Sequence, residues 1–201
     1  MRHGASAAAV PGEPFPLTDG HGDPPLAPEG REQAERVGER LGGEDIAVLF
    51  TTGLARTVET AAPLAARTGL EPVAIAELRE VRLGDWEGGE FRIRMQEGDP
   101  LALRLVREER WDVIPNAESM EALAGRARAG VERIVSEVGP DATAVAFVHG
   151  GIIGELCRQA TSSRPFAFIL SDNTGITRLL VLADGRWLLR GFNDAAHLAG
   201  I

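Results

Sequence analysis

The feature that most constrains this chain is the run at residues 142–148, almost unbroken in apolar residues and ended by His149-Gly150-Gly151. A segment that lacks the alternation of a half-exposed strand is buried on both faces, the signature of a central strand in a helix-covered sheet. A helical pattern over 150–160 follows at once. In such sheets ligand sites form at the carboxyl ends of strands, where loops and helix N-termini converge. His149 therefore stands at the favoured address, with the free amides of the next helix, from Gly150 on, facing any anion nearby.

The remaining pattern alternates strand and helix. Pro28-Glu29 suit a first helical turn, and Ala34, Val37, Gly38 and Leu41 share one face before Gly42-Gly43 stops it. Residues 46–50 read as a buried strand; Leu54, Val58, Ala61, Ala62 and Ala65 then recur at helical spacing up to Gly69. A weak strand over 73–75 leads into a polar, Gly-rich loop over 77–89 anchored by Trp86. Two short helices over 91–111 are expected to break at Gly98-Asp99-Pro100, and a longer one spans 118–138. Strands over 176–183 and 187–192, joined at Asp184-Gly185, close the chain as a hairpin. The stretch 11–28 shows neither period and reads as a long loop. Together these predict an α/β chain: one domain over 1–201, a three-layer α/β/α sandwich with a mostly parallel central sheet and one antiparallel edge.

Composition narrows the chemistry. A net charge of −9 excludes a global basic field for nucleic acid or an anionic membrane, so any anion site is local. Every one of the 21 basic residues is Arg, whose planar fork suits bidentate phosphate contacts. The single cysteine, Cys157, offers no internal disulfide, no apolar run reaches membrane-spanning length and no secretory pattern opens the chain, so a cytoplasmic location is expected. Four histidines without short ligand spacing and one cysteine imply no metal site, and no cofactor is called for.

Arg56, on the first turns of the helix after strand 46–50, reaches the same sheet rim as His149, and Glu80 lies in the loop after 73–75. Alone, each has an ordinary reading, a solvated Arg and a loop carboxylate. Arg2-His3-Gly4 at the start of the chain changes the weighing. That triplet, then Leu54-Ala55-Arg56 with Glu59-Thr60-Ala61, Leu78-Arg79-Glu80, Gly84-Asp85-Trp86-Glu87-Gly88, Glu118-Ser119, His149-Gly150-Gly151 and Asn193-Asp194 to His197, resembles the histidine phosphatase (phosphoglycerate-mutase-like) superfamily in residue type, order and spacing over nearly the whole chain.

The resemblance implies a metal-independent phosphomonoester hydrolase acting on a small phosphorylated substrate or a phosphoprotein. His3 would be the nucleophile, a neutral imidazole that brings no negative charge to phosphorus and splits one hard step into two. Arg2, Arg56, His149 and Gly150 would bind the phosphoryl group, spreading its charge before attack. Glu80 would protonate the leaving alkoxide and then deprotonate water. His149 is expected to be cationic beside the phosphoryl group. A phosphoglycerate mutase is the alternative, disfavoured because Ala9 stands where mutases of this family usually carry Asn; a catalytically weak phosphate-binding relative is the third reading. His21 and His197 are read as rim or packing residues, and Arg92, Arg94, Arg104, Arg107 and Arg110 as a solvated helix face rather than a polyanion contact.

One departure stands out. In this family the triplet normally follows an apolar strand in the middle of the sheet, and here Met1 alone precedes it. The expectation is a chain that begins late and a first strand that is truncated, with ladder groups left unpaired at about 1–3 kcal/mol each; with Met1 as the true start, the nucleophile would sit on a frayed terminus.

Overall fold

A computed structural model of the chain describes residues 1–200. In chain order, a short hairpin of β1 (Leu17–Thr18) and β2 (His21–Gly22) precedes α1 (Pro28–Leu41), β3 (Val48–Thr51), α2 (Ala55–Thr68) and β4 (Val73–Ala74). Then come α3 (Glu90–Glu97), α4 (Pro100–Glu108), α5 (Met120–Val138), β5 (Ala144–Phe147), α6 (Gly150–Thr161) and the strands β6 (Ile176–Val181) and β7 (Trp187–Asp194). No helix among the described residues is long and apolar enough to cross a membrane.

The central sheet is parallel, ordered β4-β3-β5, with Leu49 opposite Val145 and Thr51 opposite Phe147. Side chains of a strand alternate between its faces, and the two cores follow that period. Leu49 and Phe147 pack with Val37 and Leu41 of α1 and Ala61 and Leu64 of α2. Phe50 and Val148 face the other way, onto Leu123, Ala127 and Val131 of α5 and Ile152, Ile153 and Leu156 of α6. This is the three-layer α/β arrangement expected from the apolar run, and the break between α3 and α4 falls at Gly98-Asp99, where the Asp99 carboxylate caps α4 through the Leu101 amide at 2.7 Å.

Two features differ from the sequence reading. The stretch 11–28 is not all loop: Asp19 and Gly20, both at positive φ, make the tight turn of the β1–β2 hairpin, which an Asp-Gly pair favours. Nor is the chain start frayed. The Met1 amine donates to the Ala146 carbonyl at 2.7 Å, Val148 N–H to Met1 at 2.8 Å and His3 N–H to Val148 at 2.9 Å. On the other side Arg2 N–H donates to Gly175 at 3.2 Å and Thr174 N–H to Arg2 at 3.1 Å. Residues 1–3 thus lie extended between β5 and the segment entering β6. Beyond them β5 and β6 do not pair, and β6–β7 stands as a separate antiparallel hairpin rather than as the edge of one continuous sheet.

The loop that leaves His3 is set by backbone contact with α1. A Cβ on Gly30 would fall 2.0 Å from the Ala5 carbonyl oxygen, and one on Gly4 would fall 2.6 Å from the Gly30 carbonyl oxygen. Only paired glycines allow that approach, which also lets Gln33 accept from the Ala5 amide at 2.8 Å and Thr60 from the Gly4 amide at 2.9 Å. Neither neighbour of Gly30 is a side chain that can swing aside. Gly30→Ala is therefore expected to cost about 1–3 kcal/mol of overpacking strain, read as a lower urea midpoint; an unchanged midpoint would refute the contact.

Candidate active site

Strand ends bring the candidate residues together. His3 leaves the extended segment beside β5, and His149 follows β5 two residues on, as the N-cap of α6, so their rings meet edge to face with centroids 5.1 Å apart. Arg56 is on the first turn of α2, behind β3. Glu80 follows the short turn after β4. Arg2, His3, Arg56 and Glu80 line one cavity of about 340 Å³, together with four aromatic side chains, Phe15, Trp86, Phe91 and Trp111. His149 and Gly150 lie behind that surface. His149 is fully buried, and Gly150 sits against the Arg2 guanidinium, 3.7 Å from its nearest atom at the Cβ position.

The hydrogen bonds fix which atoms are available. His3 Nδ1 is 2.7 Å from the Gly4 carbonyl oxygen. A carbonyl only accepts, so Nδ1 carries the proton and Nε2 keeps its lone pair. For His149 the chain of donors is longer. Thr57 donates its hydroxyl hydrogen to Leu54 at 2.8 Å, so Thr52 must donate to Thr57 at 3.1 Å. Thr52 then accepts from His149 Nε2 at 3.0 Å. His149 Nδ1 is left buried and without a partner among the described residues.

Arg56 is 5% exposed yet lacks a close carboxylate. It donates to the Gly22 carbonyl at 2.9 Å, while Asp23 is 3.6 Å away and spends the same oxygen on the Ala55 amide at the α2 N-terminus. Arg2 donates to the Ser171 carbonyl, and its buried Nε has no partner among the described residues. Burial lowers the pKa of both guanidiniums from the ordinary arginine value. Buried cations with donors to spare are an anion site in waiting.

The Glu80 carboxylate is held by two amides, Val81 at 2.9 Å and Gly151 at 3.2 Å. The loop around it is clamped by a residue the sequence did not mark, Arg126 of α5. It donates to the carbonyls of Glu77 at 2.9 Å, Arg79 at 2.6 Å and Glu80 at 2.8 Å, with Glu118 paired to it at 2.6 and 2.8 Å. Glu118-Ser119 was read as a motif, but no periodicity singles out the Arg eight residues on. His21, at the start of β2, lines the cavity and donates from Nε2 to the Glu80 carbonyl at 3.1 Å, in keeping with a rim role. His197 contacts the Thr174 hydroxyl at 3.2 Å, away from the cavity lining. Among the described residues no three His, Cys, Asp or Glu side chains converge as a metal would require.

A family model described as the histidine phosphatase superfamily, branch 1, matches residues 1–195. The chain belongs to this superfamily. Phosphoglycerate mutase-like protein 4 of Arabidopsis thaliana is 35% identical over 185 residues, 89% of this chain and 78% of that protein. Glucosyl-3-phosphoglycerate phosphatase of Mycobacterium tuberculosis is 34% identical over 142 residues, 67% of this chain and 63% of that one. The solved structure of the native mycobacterial glucosyl-3-phosphoglycerate phosphatase superposes with a TM-score of 0.77 at 28% identity, covering 96% of this chain and 95% of that one.

For this histidine phosphatase superfamily member, one sequence expectation needs correction. Of the Arg cluster, Arg94, Arg104 and Arg110 are ion-paired on the surface with Glu90, Glu108 and Asp112. Arg92 instead turns into the cavity lining, donates to Ser6 at 2.8 Å and Ala7 at 2.9 Å, and stacks near Phe15. The first turn of α3, started by Gly89 at φ 105, aims it inward. With no phosphoryl group beside it, His149 is neutral in the surroundings that the protein provides. Burial, then the Arg56 charge and then His3, hold its pKa well below the ordinary histidine value, and burial followed by Arg56 does the same for His3.

Both imidazoles are thus neutral when folded, whereas the unfolded chain takes up protons near pH 6.5. More protons in the unfolded state means stability rises with pH, so it is present above pH 6.5 and lost as pH falls below it. Each histidine contributes about 1.4 kcal/mol per pH unit there. Urea unfolding at pH 7.5 and 5.5 should show the loss, and His149→Gln should flatten the slope; an unaltered slope would show that His149 does not titrate this way. A Cβ on Gly151 would come 2.5 Å from a Glu80 oxygen, so Gly151→Ala is expected to displace that carboxylate and cut turnover about 10- to 100-fold. Wild-type turnover in that variant would detach Glu80 from the chemistry.

Proposed function

We propose that this chain is a metal-independent phosphomonoester hydrolase working through a phosphohistidine on His3. The observation that carries the reading is the fixed tautomer of His3: with Nδ1–H spent on Gly4, the Nε2 lone pair is the free nucleophile of a cavity that it shares with Arg2, Arg56 and Glu80. The relatives named above, a glucosyl-3-phosphoglycerate phosphatase among them, support a phosphoryl-transfer role.

In the first half-reaction His3 Nε2 donates its lone pair to phosphorus, the P–O ester bond breaks, and the leaving oxygen takes a proton from Glu80. In the second, Glu80 takes a proton from water as the water oxygen attacks phosphorus, the P–N bond breaks, and its electron pair returns to His3. Arg2 and Arg56 neutralise the equatorial oxygens in both steps, and the Gly151 and Val81 amides hold Glu80 in line. The aromatic side chains of the lining would receive the group attached to phosphate. A cavity of about 340 Å³ suits a small phosphorylated metabolite better than a folded phosphoprotein surface.

Acid-quenched protein incubated with a labelled phosphomonoester should carry phosphate on His3, and His3→Ala should lose at least about a thousandfold in kcat/KM. Glu80→Gln should lose about 10²–10⁴-fold on an alkyl phosphate but much less on p-nitrophenyl phosphate, whose leaving group needs no proton. Equal losses on the two esters would remove Glu80 from the acid role. Chelator should leave the rate unchanged. Rapid interconversion of phosphoglycerates with negligible hydrolysis, in a coupled assay, would replace hydrolase with mutase.

A further inference from the structure

The chain enters β6 through Ser171, Asp172, Asn173 and Thr174, four polar residues that bring no apolar side chain to hold them in place. The Gly175 N–H donates to the Asp172 carbonyl at 3.0 Å, closing a tight turn with Thr174 as its third residue. Thr174 stands there fully buried at φ 57. A left-handed residue at this turn position suits glycine, and a β-branched side chain is held in that conformation only where its surroundings over-determine it. Here the Thr174 hydroxyl donates to the Asn173 carbonyl at 2.7 Å and accepts from His197 Nε2 at 3.2 Å.

What this turn grips is the main chain of the nucleophile. The Thr174 N–H donates to the carbonyls of Arg2 at 3.1 Å and His3 at 3.3 Å, the Asn173 side-chain amide donates to the His3 carbonyl at 2.9 Å, and the Arg2 guanidinium donates to the Ser171 carbonyl. The turn is itself held from β7. Asn193, also left-handed at φ 56, accepts the Asp172 N–H on Oδ1 at 2.7 Å and donates from Nδ2 to the Asp172 carboxylate at 2.8 Å. A Cβ on Gly175 would fall 2.1 Å from that Oδ1, so the glycine is what lets the Asn193 side chain come in this close. Neither residues 171–175 nor Asn193 line the cavity. A change at Asn193 therefore reaches the phosphoryl site through Arg2 and His3.

We propose that Asn193 is a positioning residue for phosphoryl transfer. By holding Asp172 at two points it fixes the turn, and the turn fixes the Arg2 guanidinium and the main chain from which the His3 ring projects. The proposal rests on the phosphoryl-transfer reading of the cavity. Its physical content is alignment. A tetrahedral phosphate can settle against displaced donors, whereas five-coordinate phosphorus needs His3 Nε2 in line and Arg2 on its equatorial oxygens at the same moment. Loosening the turn weakens the second state far more than the first.

Orthovanadate, which takes up the five-coordinate geometry, and inorganic phosphate, which does not, separate the two states in binding titrations of the full chain. Asn193→Asp sets two carboxylates face to face and should weaken vanadate about 10- to 100-fold and phosphate less than about threefold. On p-nitrophenyl phosphate kcat should fall with the vanadate affinity while KM follows phosphate. Adding Asp172→Asn places an amide opposite the new carboxylate, keeps both hydrogen bonds with one of them reversed, and should bring vanadate affinity back to the wild-type level. Leu189→Ala thins the core packing of the same hairpin outside the clamp; it should lower the melting temperature and leave the ratio of the two affinities unchanged. Equal losses for vanadate and phosphate in Asn193→Asp, no recovery in the double variant, or a shifted ratio in Leu189→Ala would each overturn the proposal. A wild-type chain that binds neither anion would bring down the phosphoryl reading and the clamp together, whereas undiminished vanadate affinity and turnover in Asn193→Asp would bring down the clamp alone.

Discussion

The amide of His3 donating to the carbonyl of Val148 is the contact on which the site depends. It joins the first three residues to the end of β5, and so places two imidazoles from opposite ends of the sequence 5.1 Å apart. Parallel strands end on the same side of a sheet, so β3 and β4 deliver Arg56 and Glu80 to that same rim. No long side chain has to search for its position. The loops then need only hold what the strand ends present, and they do so with backbone: Gly4 against Gly30, and Glu80 on the amides of Val81 and Gly151.

Electrostatically the site is an arrangement of unfulfilled charge. Arg2 and Arg56 are substantially buried, and the carboxylate nearest to Arg56, Asp23, is committed to capping α2. Burying a cation without a full partner costs stability, and here the same groups converge on one cavity. Arg126 shows the contrasting use of the residue: paired bidentately with Glu118 and bonded to three carbonyls, its charge is consumed in holding the Glu80 loop. The two kinds of Arg differ in surroundings, not in composition.

That difference explains what could be read in the sequence. The double-faced apolar strand, the helices on either side and the closing hairpin were legible because each rests on a periodicity that local sequence carries. The placement of Arg56, Glu80 and His149 at one rim followed from the rule that parallel strands end together. Arg126 and Arg92 were not legible, since their roles come from which helix face meets which loop, a property of tertiary packing alone. The Asp19-Gly20 hairpin that carries His21 was a local signal, outweighed by the prolines around it. The frayed terminus expected at His3 is absent for a physical reason: β5 and the Thr174-Gly175 segment offer ladder groups on both sides, enough to hold three residues that alone would fray.

The state of His149 follows from the same hydrogen-bond accounting. Its Nε2–H is committed to Thr52, because Thr52 has given its own hydrogen to Thr57 and Thr57 has given its hydrogen to Leu54. A second proton can therefore enter only at Nδ1, which has no acceptor among the described residues. With burial and Arg56 both opposing it, the fold by itself keeps the ring neutral. A phosphoryl dianion would oppose both effects, adding negative charge beside the ring and an acceptor for Nδ1–H. On the proposed reading, the imidazolium belongs to the complex and not to the fold, and the charge that His149 withholds from the protein is the charge it would lend to the substrate.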